Sequence, residues 1–141
     1  MKILLINGPN LGRLGQRNPA VYGTTTLAEV VERARIHADA HGATVVDFQS
    51  NHEGALIDRL EQLDFDAVVI NPGALGHTSY ALRDAIEGIA RPTIEVHISD
   101  VRVREPFRHV LVLEDVVSGQ VIGRGVDGYI EAIDMLLGGS K

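Results

Sequence analysis

Short apolar runs alternate with helical patterns along almost the whole chain. Apolar residues dominate the runs 2–7, 43–48, 67–71 and 93–97, which predicts four strands, and a fifth strand is predicted at 120–123. Between the runs, apolar residues recur every three or four positions, as on one face of an amphipathic helix. This alternation predicts an α/β fold: a doubly wound, flavodoxin-like parallel five-stranded sheet with helices on both faces.

Local signals place the ends of several elements. The segments 26–29 and 50–53 have capping-box patterns, so a helix is expected to begin at each. Gly42 is placed to end the first of these helices. Further elements are expected at 78–88 (helix), 109–113 (strand) and 129–136 (helix). The 141 residues fit one catalytic domain, which we place at 1–141.

Composition excludes several kinds of chemistry. The chain has no cysteine, which excludes disulfides, thiolate nucleophiles and zinc–sulfur sites. Its only lysines are Lys2 and Lys141, so no interior amine is available to form a Schiff base. A net charge of −6 argues against nonspecific binding to nucleic acid or anionic membranes. Because no apolar run is as long as a membrane span and no signal-peptide pattern occurs, we expect a cytoplasmic protein.

The segment 7–23 differs from the rest of the chain. Its four glycines and two prolines exclude a regular element over most of its length. It carries Arg13, Arg17 and Tyr22 but no acidic residue. A loop this long in a small domain is typical of a lid or a binding loop. We therefore predict a lid at about 8–23 that covers an anionic small molecule; a plain surface loop is the alternative.

The predicted fold places a ligand-binding site at three strand ends. Ligands of doubly wound proteins bind beyond the carboxyl ends of the strands, where the strand order reverses. The segments at these positions are 7–23, 71–77 and 97–108. Asn71 and His77 flank the small residues that leave the third strand, so both are expected at the rim of a ligand site.

The fourth strand ends in a second group of polar residues. Glu95, His97 and Ser99 alternate along it and should project to the same side, where the carboxylate can orient the imidazole. The Ile98 and Ser99 amides, with the Ser99 hydroxyl, can bind a carboxylate or phosphate. Arginines downstream add positive charge: Arg102, Arg104 and Arg108. A buried Glu–His pair with a purely structural role is the alternative.

Two other patterns carry less weight. The segment 123–128 matches the glycine spacing of a dinucleotide-binding turn, but that fingerprint needs an acidic residue about twenty positions further on, and too few residues follow. His37 and His41 lie one helical turn apart without a third ligand nearby, so a solvated helix face is expected. We predict no metal site and no cofactor.

The remaining candidate chemistry is proton transfer that involves Tyr22, His97 and neutral hydrogen-bonding groups. A tyrosine, with its ordinary pKa near 10, is a poor base at neutral pH unless its phenolate is stabilised. Lowering that pKa by two to three units requires about 3–4 kcal/mol, which Arg17 or Arg108 under a closed lid can supply. A phenolate base opposite a histidine acid suits proton abstraction beside a carbonyl followed by loss of a hydroxyl, that is, a dehydratase.

These loops resemble those of the type II 3-dehydroquinate dehydratases over essentially the whole chain. The matching segments are NGPNLGRLGQRNPAVYG, NPGALGHTSYALRDA, PTIEVHISD, REPFRH and GVDGY. The resemblance implies a cofactor-free, flavodoxin-like lyase that converts 3-dehydroquinate to 3-dehydroshikimate and water by anti elimination through an enolate. That reaction belongs to the shikimate pathway of aromatic amino acid biosynthesis or to quinate catabolism. The resemblance also implies a homo-oligomer, usually a dodecamer built as a tetramer of trimers.

The resemblance further implies roles for individual residues. Tyr22 resembles the proton-abstracting tyrosine, and Arg17 resembles the lid arginine that keeps it ionised. Asn10 resembles the asparagine that, with a bound water, stabilises the enolate oxygen. His97 resembles the acid that protonates the departing hydroxyl, oriented by Glu95. The other matching positions are Asn71, His77, Ile98, Ser99 and Arg108, which bind substrate, and Asp84, which reaches the active site of a neighbouring subunit.

The chain departs from the family pattern at a few positions. Gly76 stands where threonine is common, Tyr80 where a small aliphatic residue is usual, and Asp100 where asparagine is frequent. The segment 110–115 also lacks the usual sequence. These departures bear on affinity and subunit contacts and leave the proposed catalytic positions intact. Two other functions stay open: a non-catalytic flavodoxin-like domain that binds a carboxylate, and a related lyase acting on another hydroxylated cyclic acid.

Overall fold

A parallel sheet forms the centre of the protein, whose computed structural model describes residues 1–16 and 18–139. Every strand pair is parallel, and the strand order is β2-β1-β3-β4-β5. The strands are β1 Lys2–Asn7, β2 Thr44–Gln49, β3 Ala67–Asn71, β4 Thr93–His97 and β5 Gly119–Ile122. This is the flavodoxin-like order, so the predicted fold class is confirmed.

Helices cover both faces of this sheet. In the described chain they are α1 Pro19–Tyr22, α2 Leu27–Ala40, α3 Glu53–Leu60, α4 Tyr80–Ile89 and α5 Asp127–Asp134. Leu5 and Val69 pack with residues of α2 and α5 on one face, whereas Leu4 and Val68 pack with α3 and α4 on the other. Successive strand residues point to opposite faces, which is why residues 3–6 of β1 and 67–70 of β3 are all apolar. No helix of the described residues has both the length and the apolar character needed to cross a membrane.

One of the two predicted capping boxes forms. The Glu29 amide donates to the Thr26 hydroxyl, and the Thr26 amide donates to the Glu29 carboxylate at 3.0 Å. The box predicted at Ser50 is wrong, since α3 begins at Glu53 and Ser50 accepts a hydrogen bond from an amide two residues on. The Glu53 carboxylate accepts instead from the hydroxyl of Ser79, which caps α4. A contact between two helices therefore replaces the local cap.

The strand predicted at 109–113 does not form. Val112 and Leu113 are buried in the core beside α3 and α4. The Val112 amide donates to the Gly76 carbonyl at 2.9 Å, and Arg83 donates to the Val112 carbonyl at 2.7 Å. Burial of a turn thus produced the apolar pattern that suggested a strand, and β5 pairs with β4 rather than with a hairpin partner.

Two close backbone contacts shape the carboxyl end of the sheet between β1 and β3. A side chain at Gly8 would lie 2.5 Å from the Pro72 carbonyl oxygen, and one at Gly73 would lie 2.9 Å from the Pro9 carbonyl oxygen. Only glycine permits this approach. The loops that leave β1 and β3 are therefore pressed together where the strand order reverses, and the residues that follow them form the candidate site.

Candidate active site

A cavity lies at the carboxyl ends of β1, β3 and β4. Its walls come from the three segments in which the predicted fold places a ligand site, 7–23, 71–77 and 97–108. Tyr22, at the end of α1, belongs to the first of them. Most of the predicted site residues line it: Asn10, Tyr22, Asn71, His77, His97, Ile98, Ser99 and Arg108. The chain thus brings together side chains that are widely separated in sequence.

Three predicted residues have other locations. Glu95 lies next to His97 and is fully buried. Asp84 lines a different groove, between α3 and α4, with Ile57 and Ala81. Arg17 lies outside the described residues. The roles assigned to all the predicted site residues stay predictions.

The His97 imidazole is held by the neighbouring carboxylate. His97 Nε2 lies 2.6 Å from Glu95 Oε2. A carboxylate oxygen can only accept, so Nε2 carries the proton in this contact. Nδ1 is then the ring nitrogen left to face the cavity that His97 lines. Glu95 Oε1 accepts a second hydrogen bond, from Gln120 Nε2 at 2.8 Å.

A second imidazole lies beside the first. The His77 and His97 ring centroids are 5.6 Å apart. His77 Nδ1 donates to the Val110 carbonyl at 2.8 Å, since a carbonyl can only accept. Burial lowers the pKa of His77 below its usual 6.5, although the hydrogen bond to Val110 opposes this effect. His77 is therefore neutral at pH 7, and its Nε2 is a hydrogen-bond acceptor.

We expect His77 to make the protein less stable in acid. Its pKa is lower in the folded than in the unfolded state, so between the two values the unfolded chain binds more protons. The free energy of unfolding should be insensitive to His77 above pH 6.5 and should fall as the pH drops from 6.5 through the folded-state pKa. His77→Asn keeps a donor near Nδ1 but cannot titrate, so urea unfolding at several pH values should show a smaller loss in acid. The exposed His52→Asn is the control; an equal acid loss in His77→Asn and wild type would contradict this expectation.

A guanidinium contacts the Tyr22 phenol directly. Arg104 Nη1 donates to the Tyr22 hydroxyl oxygen at 2.7 Å, and its guanidinium carbon lies 5.4 Å from the centre of the Tyr22 ring. The same nitrogen lies 3.2 Å from Ser99 Oγ, which ties it to the end of β4. Because a guanidinium only donates and carries a full charge, this contact favours the phenolate form of Tyr22.

Arg104 was not predicted as the partner of Tyr22. Arg17 and Arg108 were expected in that role, and Arg104 was expected only to add positive charge. Arg108 lines the cavity, and its guanidinium donates to the Glu105 carboxylate at 2.8 Å. A turn at Val101–Val103 directs Arg104 inward, leaving its side chain 18% exposed, against 61% for Arg102. The sequence shows three arginines at this strand end, but only the folded loop shows that Arg104 contacts Tyr22 while Arg102 stays exposed.

A buried hydrogen-bond network lies below the cavity. The Tyr129 hydroxyl donates to Asn7 Oδ1 at 2.6 Å and accepts from Asn71 Nδ2 at 2.9 Å. Asn71 Oδ1 accepts from the Gly73 amide at 3.1 Å, which fixes the orientation of its side chain. Burial raises the pKa of Tyr129, so this phenol stays protonated and remains a donor. The network joins α5 to the ends of β1 and β3.

We expect Tyr129→Phe to destabilise the protein. The change removes the hydroxyl that pairs with Asn7 Oδ1 and Asn71 Nδ2 in the buried network, which should lower the free energy of unfolding by about 1–3 kcal/mol. Urea unfolding measures the loss. Tyr80→Phe is the matched control, because that ring is 70% exposed and should lose almost nothing. Equal stabilities of the two variants would show that the network does not stabilise the fold.

The fold and the site define a class: a flavodoxin-like α/β protein whose cavity holds a phenol beside a guanidinium and an imidazole oriented by a carboxylate. Among the described residues, no cluster of three or more His, Asp or Glu side chains is placed to hold a metal ion.

Comparison with known proteins identifies the family. The sequence model described as dehydroquinase class II matches residues 1–137. A catabolic 3-dehydroquinase from Neosartorya fischeri is 52% identical over 134 residues, 94% of this chain and 89% of that protein. A 3-dehydroquinate dehydratase from Roseiflexus castenholzii is 54% identical over 140 residues, 98% and 89% of the two chains. The crystal structure of the type II dehydroquinase from Butyrivibrio crossotus gives a TM-score of 0.94 at 48% identity, covering 96% of this chain and 97% of that one. The chain belongs to the class II dehydroquinase family, as its resemblance predicted.

Proposed function

We propose that this protein converts 3-dehydroquinate to 3-dehydroshikimate and water. The observation that carries the proposal is that one cavity is lined both by the Arg104–Tyr22 contact and by His97, whose imidazole is held by the buried Glu95. Tyr22 is a base that the Arg104 cation can keep ionised, and His97 is an acid that the Glu95 carboxylate can orient. The names of the two relatives, a 3-dehydroquinase and a 3-dehydroquinate dehydratase, agree with this substrate.

The first step is removal of a proton by Tyr22. The phenolate, stabilised by Arg104, takes a proton from the carbon beside the substrate carbonyl, and an enolate forms. Asn10 lines the cavity, and its backbone amide donates to Asn51 Oδ1 at 3.0 Å. Its side chain, through a water, donates to the enolate oxygen. Arg17 adds a second cation when the lid closes.

The second step is loss of the hydroxyl. The enolate collapses to the enone, the carbon–oxygen bond breaks, and His97 Nδ1 gives its proton to the departing oxygen to form water. Glu95 stabilises the imidazolium that precedes this transfer. The proton held by Tyr22 returns to solvent and His97 takes up another, which restores both groups.

The other lining residues hold the substrate. The Ile98 and Ser99 amides with the Ser99 hydroxyl bind its carboxylate, and Arg108 adds positive charge. Asn71 Nδ2 and His77 Nε2 offer a donor and an acceptor to its hydroxyls. These contacts orient the carbon that loses its proton toward Tyr22 and the departing hydroxyl toward His97.

We further propose that the protein acts as a homo-oligomer, a dodecamer of four trimers in which Asp84 reaches a neighbouring cavity. Asp84 lines a surface groove with the apolar Ile57 and Leu63, the latter 45% exposed. On the same helix, Tyr80 is 70% exposed. An exposed apolar surface around a carboxylate suits contact with a basic partner surface. Sedimentation velocity tests this, and a monomer at micromolar concentration would contradict it.

The proposed reaction is tested by adding 3-dehydroquinate to the purified protein. Formation of the conjugated enone should raise the ultraviolet absorbance. Calorimetric binding without conversion would favour a carboxylate-binding domain instead. Conversion of another hydroxylated cyclic acid in preference to 3-dehydroquinate would favour a related lyase.

We expect Arg104→Met to lower kcat on the order of a hundredfold at pH 7, because the phenolate loses about 3 kcal/mol of stabilisation. The loss should shrink as the pH is raised, since hydroxide then ionises Tyr22 without help. Steady-state assays across pH measure both effects. The exposed Arg102→Met is the control. A loss that does not depend on pH would contradict the role given to Arg104.

A further inference from the structure

The Glu95 carboxylate is enclosed to an unusual degree. Among the described residues it is the only acidic side chain that is buried, with no exposed surface. A buried carboxylate is tolerated when each oxygen is hydrogen bonded. Oε2 meets His97 at 2.6 Å and Oε1 accepts from Gln120 at 2.8 Å. The neutral amide of Gln120 therefore provides the hydrogen bond to Oε1, the oxygen that the His97 imidazole does not contact.

The position of Gln120 follows from the strand register. Gln120 is paired with Glu95 across β4 and β5. Their neighbours Val96 and Val121 face α5, so by alternation Gln120 and Glu95 share the opposite face. Gln120 is half-buried and does not line the cavity. Gln120 therefore contacts the Glu95 carboxylate and does not contact a ligand in the cavity.

No cation is hydrogen bonded to Glu95 in the described chain other than the His97 imidazole when protonated. From the turn Gly73–His77, Gly76 packs against Oε2, where an added Cβ would lie 3.2 Å away. Beyond it lies the His77 imidazole, 5.6 Å from the His97 ring, and the charges of Glu95 and Arg108 both act on the pKa of His77. The amide of Gln120 is therefore the donor that sets the rotation of the carboxylate.

We propose that Gln120 is a positioning residue for the acid of the reaction. By donating to Oε1 it fixes the carboxylate so that Oε2 meets His97 Nε2 and Nδ1 is turned to the cavity. The terminal torsion of a glutamate is soft, so without this bond the carboxylate rotates and the imidazole loses its anchor. The inference rests on the function proposed above for His97.

Two substitutions separate this role from packing. Gln120→Leu removes the donor and should lower kcat about tenfold to a hundredfold, the loss expected for a hydrogen bond to a charged group. KM should stay within about twofold, because Gln120 does not line the cavity.

The second substitution, Gln120→Glu, keeps the size and shape of the side chain but replaces its amide with a carboxyl. Its carboxyl and that of Glu95 repel when both are ionised, but a shared proton restores a donor. This variant should approach wild-type kcat at pH 5.5 and lose activity as the pH rises, whereas the exposed Gln62→Glu should follow wild type.

Nuclear magnetic resonance of ¹⁵N-histidine protein tests the positioning without turnover. Wild type should show a low-field, slowly exchanging Nε2–H signal that disappears in His97→Gln. Gln120→Leu should lose this signal, and Gln120→Glu should keep it only in acid. If both variants keep the wild-type signal and kcat at every pH, the proposal is overturned. If the signals change as expected but wild type does not convert 3-dehydroquinate, the positioning role stands and the proposed function fails.

Discussion

Tyr22→Phe is expected to lower kcat for 3-dehydroquinate by at least about a thousandfold, because it removes the base that forms the enolate. The phenyl ring keeps its contact with the Arg104 side chain, so KM should change much less than kcat. The enone assay measures both constants.

The control for this substitution is Tyr80→Phe, which removes an exposed hydroxyl outside the cavity. Its kcat should equal that of wild type. Circular dichroism and urea unfolding should show that Tyr22→Phe is folded, since its hydroxyl lies at the cavity and not in the core. A folded Tyr22→Phe enzyme that keeps more than a tenth of wild-type activity would exclude Tyr22 as the base.

His97→Gln is expected to lower kcat by roughly 10²–10⁴-fold, the usual contribution of a general acid. Glutamine can still donate to Glu95 from the position of Nε2, but it cannot transfer a proton to the departing hydroxyl. Loss of the hydroxyl should therefore become much slower than formation of the enolate.

This separation of steps gives a second readout. In deuterated water the His97→Gln enzyme should still exchange the substrate proton beside the carbonyl, because Tyr22 remains, while Tyr22→Phe should not. The exposed His109→Gln is the control for loss of an imidazole near the cavity. Full turnover in His97→Gln, or loss of exchange in it, would contradict the division of roles between Tyr22 and His97.

The sheet and the location of the candidate site were predictable because few folds are compatible with an alternation of apolar strands and amphipathic helices. Apolar strands separated by helices form a parallel sheet, and the carboxyl ends of its strands must lie on one edge. His97 and Glu95 were predicted to share a face from alternation alone, and the structure places them 2.6 Å apart.

Other features depend on tertiary contacts. Ser50 did not cap α3 because Glu53 binds α4 instead, and the 109–113 segment is apolar because it fills the core. The inward turn of Arg104 and the contact between Gln120 and Glu95 depend on a loop geometry and a strand register. Neither contact can be predicted from the spacing of residues in the sequence.

The claim on which the mechanism depends is that a guanidinium keeps the Tyr22 oxygen anionic near neutral pH. The chain has three tyrosines, so ¹³C labelling at the ring carbon that bears the oxygen gives three signals that single Phe variants assign. As the pH is raised from 5 to 11, the Tyr22 signal should move to its ionised position near neutrality in wild type and only at much higher pH in Arg104→Met. A Tyr22 signal that titrates near pH 10, alike in both proteins, would contradict the account.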